Sequence, residues 1–479
     1  MRNIWVFLLL SSCTLYPRYE RPCLESFDDW RTPLPTQNAV EIAWWKQFND
    51  PVLNDLITKA LTSNQDILTA IARVDQFRAQ WKIASSLLYP QLQAGGVGNR
   101  QKVSNAMLTP SAVPNPIFNT FGAFLQASYF VDLWAEIRSG AEAAYHQWLA
   151  SIDARQTVVL AIVSSVAATY VQLRQFDEQL IVSKDTLKTR QEAYYLAKVR
   201  HELGLTSLLE VEQAIAEAEI AKVQVERFEI AIAEAENLLS VLLGQASQDI
   251  PRGLGINELP MPPSVPECTP AYIVCQRPDV QAAEEQLKAA NAQIGVAWAQ
   301  FFPQINLLGA VGTQSSWLSP LLSGPSNLFQ YGTSIIQEIF TGGRLTGQVE
   351  LAYAVKCELL HNYLQTVLKA FQEVNNALTS HKYYLEMVET QRLRMEADKS
   401  YLHLSDLRYQ EGEIDYLTFL DAERQYFQAQ LDYEETKGNS FVSFIQIYQA
   451  LGGPWVVEAD KEVLQYKETC ATPLLAPSS

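Results

Sequence analysis

The sequence lacks most of what common functions require. Beyond its N-terminus, no apolar run reaches the roughly 18 to 20 residues that a membrane-spanning helix needs. A bilayer crossing would therefore have to be made by strands. Positive charge is scarce: 36 Lys and Arg stand against 53 Asp and Glu, a formal net charge of −17. That balance argues against nucleic acid, because phosphate binding needs clustered Lys and Arg. Solubility in water accounts for the acidity, and a cation-selective lumen is a second reading. Cys23, Cys268, Cys275, Cys357 and Cys470 show no CxxC spacing and no evident disulfide framework. Cys268 and Cys275 could pair in an oxidising compartment, and buried free thiols are equally open. His146, His201, His361, His381 and His403 are scattered, with no HExxH or similar metal spacing. Gly342-Gly343-Arg344 is no phosphate loop, since it lacks both the GxxxxGK[ST] pattern and a strand–helix setting. No catalytic constellation remains, so the chain is not read as an enzyme and no cofactor is expected.

What is present begins at the N-terminus. Arg2 supplies one positive charge, Ile4 to Leu10 form a short apolar core, and Leu10-Ser11-Ser12-Cys13 follows. This pattern reads as a signal peptide over residues 1–12, ending in a lipoprotein box whose Cys13 is acylated. An ordinary signal or a buried strand is the alternative. Each buried CH₂ of an acyl chain contributes roughly 0.8 kcal/mol, so a multiply acylated Cys13 would anchor firmly. The covalent lipid is the one modification expected.

At 479 residues the chain is too long for one ordinary core, and its 48% hydrophobic content excludes global disorder. An internal repeat organises it. Tyr89-Pro90-Gln91-Leu92 recurs as Phe302-Pro303-Gln304-Ile305, and 302 − 89 = 213. Gln65-Asp66-Ile67 matches Pro278-Asp279-Val280 at the same offset. Gly204 before Leu209-Glu210-Val211 matches Gly412 before Leu417-Thr418-Phe419, and 412 − 204 = 208. Leu243-Gly244 and Leu451-Gly452 close both halves. The expected domains are therefore a lipid-anchored segment 13–62, repeat 1 at 63–245, a Pro-rich linker 246–271, repeat 2 at 272–453 and a tail 454–479. The linker carries Pro251, Pro260, Pro262, Pro263, Pro266 and Pro270, so it cannot be helical throughout. Tyr16 to Gln37 and the tail after Pro454 read as irregular.

Each repeat reads helix, hairpin, helix, helix. Asn64 to Leu88 is helical and stops before Pro90. A β-hairpin over 91–133 follows, its second strand alternating Phe121, Ala123, Leu125, Ala127, Tyr129 and Val131 with Gly122, Phe124, Gln126, Ser128 and Phe130. The second hairpin spans 304–340, with Ile305 to Val311 outgoing, a loop over Ser315 to Asn327, and Tyr331 to Phe340 returning. No proline interrupts Glu136 to His201, a helix on the order of 100 Å long at 1.5 Å per residue. Val159, Val166, Leu173, Leu180, Leu187 and Tyr194 recur every seven residues, as do Val211, Ala218, Val225, Ile232 and Leu239. Val367, Val374, Val388, Met395, Leu402 and Tyr409 repeat the pattern, with His381 interrupting it. Such stripes make helices coil around neighbours.

Strands in hydrocarbon need every N–H and C=O paired, so a spanning sheet must close. Two hairpins supply about four strands, fewer than the minimum of about eight in membrane barrels. One chain cannot close a barrel; several can, each lending edge strands to its neighbours. A soluble sheet is the competing reading of the same strands.

The lipoprotein box, the repeat, the two helix-to-strand junctions and the paired hairpins together resemble the TolC/OprM (NodT-type) outer-membrane efflux lipoprotein family. So do Phe340-Thr341-Gly342-Gly343-Arg344 with Gln348-Val349-Glu350, and Tyr416-Leu417-Thr418-Phe419-Leu420-Asp421-Ala422-Glu423-Arg424. The resemblance implies an α+β membrane protein in the bacterial outer membrane, extending into the periplasm. It implies a homotrimer with a 12-stranded β-barrel, a 12-helix periplasmic α-barrel and a mixed equatorial domain. Thr14, which is not Asp, fits outer-membrane sorting by the same resemblance. The implied function is the exit duct of a tripartite efflux system, fed by a periplasmic adaptor (a membrane fusion protein) and an inner-membrane pump of the resistance–nodulation–division or ABC type. That pump must supply the energy. By the same resemblance, the tips around Gly204, Leu205, Gly412 and Glu413 dock the adaptor, and Leu417, Asp421, Arg424 and Glu210 form a periplasmic gate. Glu210 stands where an Asp is more usual. A surface ion pair between Asp421 and Arg424, three residues apart, is the plainer reading. Two other functions compete: a type I protein-secretion duct of the same fold, and a soluble coiled-coil adaptor. Two full helix–hairpin–helix units argue against the latter.

Overall fold

A computed structural model describes residues 16–22, 30, 43–102, 117–260 and 276–466. Cys13, the signal segment, the loop 103–116, part of the linker, and Cys23, Cys268, Cys275 and Cys470 lie outside these residues. The described helices are α1 (Pro51–Ser63), α2 (Gln65–Ser86), α3 (Glu136–Glu202), α4 (Leu208–Leu242), α5 (Pro278–Ala299), α6 (Arg344–Gln410), α7 (Tyr416–Leu451) and α8 (Pro454–Tyr466). The strands are β1 (Gln91–Lys102), β2 (Ile117–Val131), β3 (Gln304–Ser315) and β4 (Asn327–Ile336).

Equivalent elements keep the spacing of the sequence motifs. Helices α2 and α5 both have 22 residues and begin 278 − 65 = 213 apart. Helices α3 and α6 both have 67 residues and begin 344 − 136 = 208 apart. The five-residue difference therefore falls inside the hairpins. The start of α2 is capped by Asn64, whose Oδ1 accepts from the N–H of Asp66 at 2.9 Å and of Ile67 at 3.1 Å. Both α2 and α5 stop four residues before a proline, which can neither donate nor continue the helix. Trp134 bonds the second of these prolines, its Nε1 donating to Pro303 O at 2.9 Å while its ring stacks on Phe302.

The chain divides into two compact units. The first draws on residues 1–23, 73–151 and 282–363 and contains all four strands, in a single antiparallel sheet of order β1-β2-β3-β4. The two hairpins join through β2 and β3, where Leu125 faces Val311 and Tyr129 faces Leu307. Period-two alternation gives the sheet two chemically different faces. One carries Leu92, Leu125, Tyr129, Leu307, Val311, Phe329, Tyr331 and Ile335; the other carries Gln91, Gln93, Gln126, Ser128, Asn306 and Gln330. On the apolar face Tyr331 is 83% and Phe329 76% exposed in the single chain. On the other face the Phe124 ring lies 2.7 Å from where a Cβ on Gly95 would sit, so any larger residue there would have to displace that ring. The returning strand of the second hairpin is Asn327–Ile336 rather than Tyr331 to Phe340. Its register is set by pairing with β3, from Thr313 opposite Asn327 to Gln304 opposite Ile336, which ends it at Ile336.

The second unit comprises residues 24–72, 152–281 and 364–479. Its core packs Trp44, Trp45 and Phe48 against Phe441, Phe444, Tyr448 and Trp455, with Val159 to Leu173 of α3. Trp44 stacks on Tyr448 with centroids 5.4 Å apart and meets Trp455 edge-on at 6.0 Å. Asp50, fully buried, caps α1 and also accepts from Tyr170 Oη at 2.7 Å and Leu254 N at 3.2 Å. It ties the linker to α3. One sequence expectation fails here, and one element was not foreseen. Pro454 opens the 13-residue helix α8 instead of an irregular tail, because proline is well suited to the first helical turn. Residues 51–63, inside the segment read only as an anchor, form α1 behind a matching Asp50-Pro51 start.

The heptad stripes are buried or half-buried along their full lengths. His381 belongs to its stripe: it is 1% exposed, bonds Ser443 at 3.0 Å, and burial pushes its imidazole down to about 4, so it packs uncharged. Helix α3 does contain an 18-residue window of hydropathy 1.5, long and apolar enough to cross a membrane by composition alone. That window is 61% buried in the structure, as a core helix would be.

Candidate functional site

Both long helices end in the same turn. Gly204 has φ +74° and Gly412 φ +77°. Gly204 N donates to His201 O and Leu205 N to Arg200 O, each at 2.8 Å; Gly412 N donates to Tyr409 O at 3.0 Å and Glu413 N to Arg408 O at 2.9 Å. This is the Schellman arrangement, in which a left-handed residue lets the last carbonyls be satisfied. Nothing lies within 4 Å of a Cβ built at either glycine, so backbone strain alone demands glycine. Gly204→Ala or Gly412→Ala should each cost roughly 1–2 kcal/mol in a urea titration of the helical signal, and Asn, which tolerates this conformation, should recover much of it.

The two turns present different surfaces. The first exposes Leu203, Leu205, Leu208 and Leu209, with Leu205 at 74%. The second exposes Glu411 and Glu413, and Glu413 pairs with Arg408. Glu210 sits in the first turn of α4 and accepts from the Thr206 hydroxyl. Asp415 caps α7, accepting from Thr418 N at 3.0 Å. Leu417, in that helix's first turn, is 53% exposed.

Asp421 and Arg424 share a face of α7 without bonding each other. Asp421 accepts from Gln425 at 2.6 Å, whereas Arg424 turns to Glu217 of α4, its Nε donating to Oε1 at 2.7 Å. The reading of a local pair is thereby corrected: the longer reach of the guanidinium finds a carboxylate that is desolvated and hence electrostatically stronger. Glu217 is only 2% exposed and also pairs with Arg190 of α3 at 3.0 Å. Arg190 Nη1 additionally donates to the Glu217 carbonyl at 3.1 Å, and its guanidinium lies 5.2 Å from the centre of the Phe427 ring. One carboxylate thus holds an arginine from each of two other helices. Glu423 completes the group: burial, more than its carboxylate neighbours Glu217 and Asp406, raises its carboxyl above the usual range, against the pull of Arg190.

Sequence reasoning put Gly204, Leu205 and Glu210 at the tip of one repeat and Gly412, Glu413, Leu417, Asp421 and Arg424 at the tip of the other; the structure has both tips in the second unit. It missed Arg190, Glu217 and Glu423. Glu217 reads as one of many glutamates on an exposed helix. The available signal was that Glu217 falls between Ala214 and Ala218, inside the apolar stripe of α4.

Long coiled helices, a small antiparallel sheet with one apolar exposed face, and paired helix ends define a membrane-channel class of fold. A sequence profile of the family described as "Outer membrane efflux protein" matches residues 56–245 and 271–453. The chain is 34% identical over 457 residues to the antibiotic efflux pump outer membrane protein ArpC of Pseudomonas putida, covering 93% of this chain and 94% of that protein. It is 30% identical to a probable outer membrane lipoprotein, SilC, of Salmonella typhimurium, covering 94% and 97%. The open-state MtrE outer membrane channel of Neisseria gonorrhoeae superimposes with a TM-score of 0.82 at 30% identity, covering 92% of this chain and 98% of that one. The chain belongs to the outer membrane efflux protein family.

Proposed function

We propose that this chain is the outer-membrane exit duct of a tripartite efflux system, built as a homotrimer whose three four-stranded sheets close into one 12-stranded barrel. One observation carries the reading. The sheet ends in β1 on one side and β4 on the other, each with an unpaired edge among the described residues, and one face exposes Leu92, Leu125, Leu307, Val311, Phe329, Tyr331 and Ile335. Such edges cannot stand in lipid, where each unpaired backbone group costs several kcal/mol. Pairing β1 of one copy with β4 of the next removes every edge, and the apolar face then meets lipid while the glutamine-rich face lines the passage. The repeated order of helix, two strands and two long helices supports two tandem units per chain, hence twelve long helices in a trimer.

In this reading Cys13 carries the lipid anchor. The turns at Gly204 and Gly412 meet a periplasmic adaptor, and the inner-membrane pump behind it supplies the energy. Leu417, Asp421, Arg424 and Glu210 form the gate, with Glu217 holding Arg424. Small-molecule efflux is favoured over protein secretion by the likeness to ArpC, which is named as part of an antibiotic efflux pump.

Purified from membranes in mild detergent, the protein should migrate unboiled as a trimer and collapse to a monomer on heating, with loss of the β signal in circular dichroism. A monodisperse monomer without that signal would end the proposal. Copurification with a resistance–nodulation–division pump rather than an ABC exporter would separate efflux from secretion.

A further inference from the structure

The first unit contains a cleft of about 460 Å³ on the polar face of the sheet. Its walls are mainly apolar, with Leu87, Phe130, Ile137 and Val296 among them, and polar groups of Glu136, Asn306, Gln91 and Ser128 line it as well. Two of these stand out. Asn306 Oδ1 is buried without a hydrogen-bond donor. Glu136 receives one bond, from Gln304 Nε2 at 3.2 Å, and no cation pairs with it among the described residues. Arg138, two residues further along α3, is engaged by Asp132 at 3.1 Å. Asp132 also takes the N–H groups of Ile137 at 3.2 Å and Arg138 at 3.0 Å, so the start of α3 is already neutralised by another carboxylate. Burial, more than Asp132 beside it, raises the Glu136 carboxyl above the ordinary range, against the Gln304 bond. An apolar cleft offering an unsatisfied amide oxygen and a carboxylate with no cationic partner among the described residues is complementary to a ligand with an aromatic or aliphatic body and a positive charge.

We infer that this cleft is a binding site for amphipathic organic cations, held by Glu136 and Asn306 over the Phe130 ring, on the wall of the passage. The inference rests on the proposed function only in taking the polar sheet face as the inner one; the site itself is built within one unit of one chain.

The test uses the full-length protein in lipid nanodiscs, with empty nanodiscs as reference. Ethidium is the cationic probe and anilinonaphthalenesulfonate the anionic one, both read by fluorescence anisotropy. Ethidium should bind saturably and far more tightly than the anionic probe. Glu136→Gln should weaken ethidium about ten-fold and narrow the gap between the two probes. Gly140→Leu should weaken both, since a Cβ at Gly140 meets only Val296 Cγ2 at 3.8 Å and a larger side chain has the cleft to enter. Each variant is scored only if it still runs as the heat-sensitive oligomer, and Gly140→Leu serves where Glu136→Gln does not assemble. Equal affinity for the two probes, unsaturable ethidium uptake, or full ethidium affinity in the variants would overturn the site. Failure of the wild-type protein to conduct in planar bilayers would instead count against the channel reading.

Discussion

Glu217→Leu should destabilise the helical unit by about 3–5 kcal/mol, and Arg190→Leu should cost clearly less. The asymmetry follows from the shared carboxylate. Glu217 and Arg190 are each 2% exposed, so both are desolvated and depend on one another. Removing Glu217 leaves the Arg190 guanidinium buried, with Glu423 as its nearest remaining negative charge. Removing Arg190 leaves Glu217 still bonded to Arg424, whose side chain is 49% exposed and can adjust. Replacing both by Leu should cost less than the two single changes added together, because no charge is then stranded in an apolar setting. Urea titration of the helical circular dichroism signal measures all three. Equal single costs, or an additive double variant, would show that Glu217 does not serve both arginines.

The second large effect concerns conductance. Arg424→Ala together with Asp421→Ala should raise single-channel conductance in planar bilayers by opening a mouth that otherwise rests closed. Arg424 ties α7, which also bears Leu417 and Asp421, to α4 through Glu217. The contact is half exposed, so one copy contributes at most about 1 kcal/mol after screening. In the proposed trimer, three copies would act on one two-state equilibrium and together shift it by up to about a hundred-fold. Removing Asp421 relieves the like-charge crowding of three carboxylates, which by itself favours opening, so Arg424→Ala alone should give a gain at least as large as the double change. Unchanged conductance in a correctly assembled trimer would remove both residues from the gate.

Features with a local physical cause were readable in advance. Prolines stop α2 and α5, glycines at φ near +75° end α3 and α6, and alternation in β2 sorts the sheet into its two faces. Each depends on a few neighbouring residues and on backbone sterics. The misreadings have causes too. His381 looked like a break because its neutral state depends on burial beside Phe444 and Ser443, which are remote in sequence. Pro454 looked like a terminator because a proline stops one helix and starts another with equal ease.

The order of helix, two strands and two long helices in each half, and the two offsets of 213 and 208 residues, were contained in the order of amino acids, because each follows from local periodicity and its breaks. Which carboxylate holds Arg424 was not. Glu217 precedes Arg424 by 207 positions, and its choice over Asp421 depends on the dielectric around it, a property of packed helices that no stretch of sequence carries. The same holds for the cleft at Glu136, where the lack of a partner cation among the described residues becomes visible only once the neighbouring side chains have taken their places.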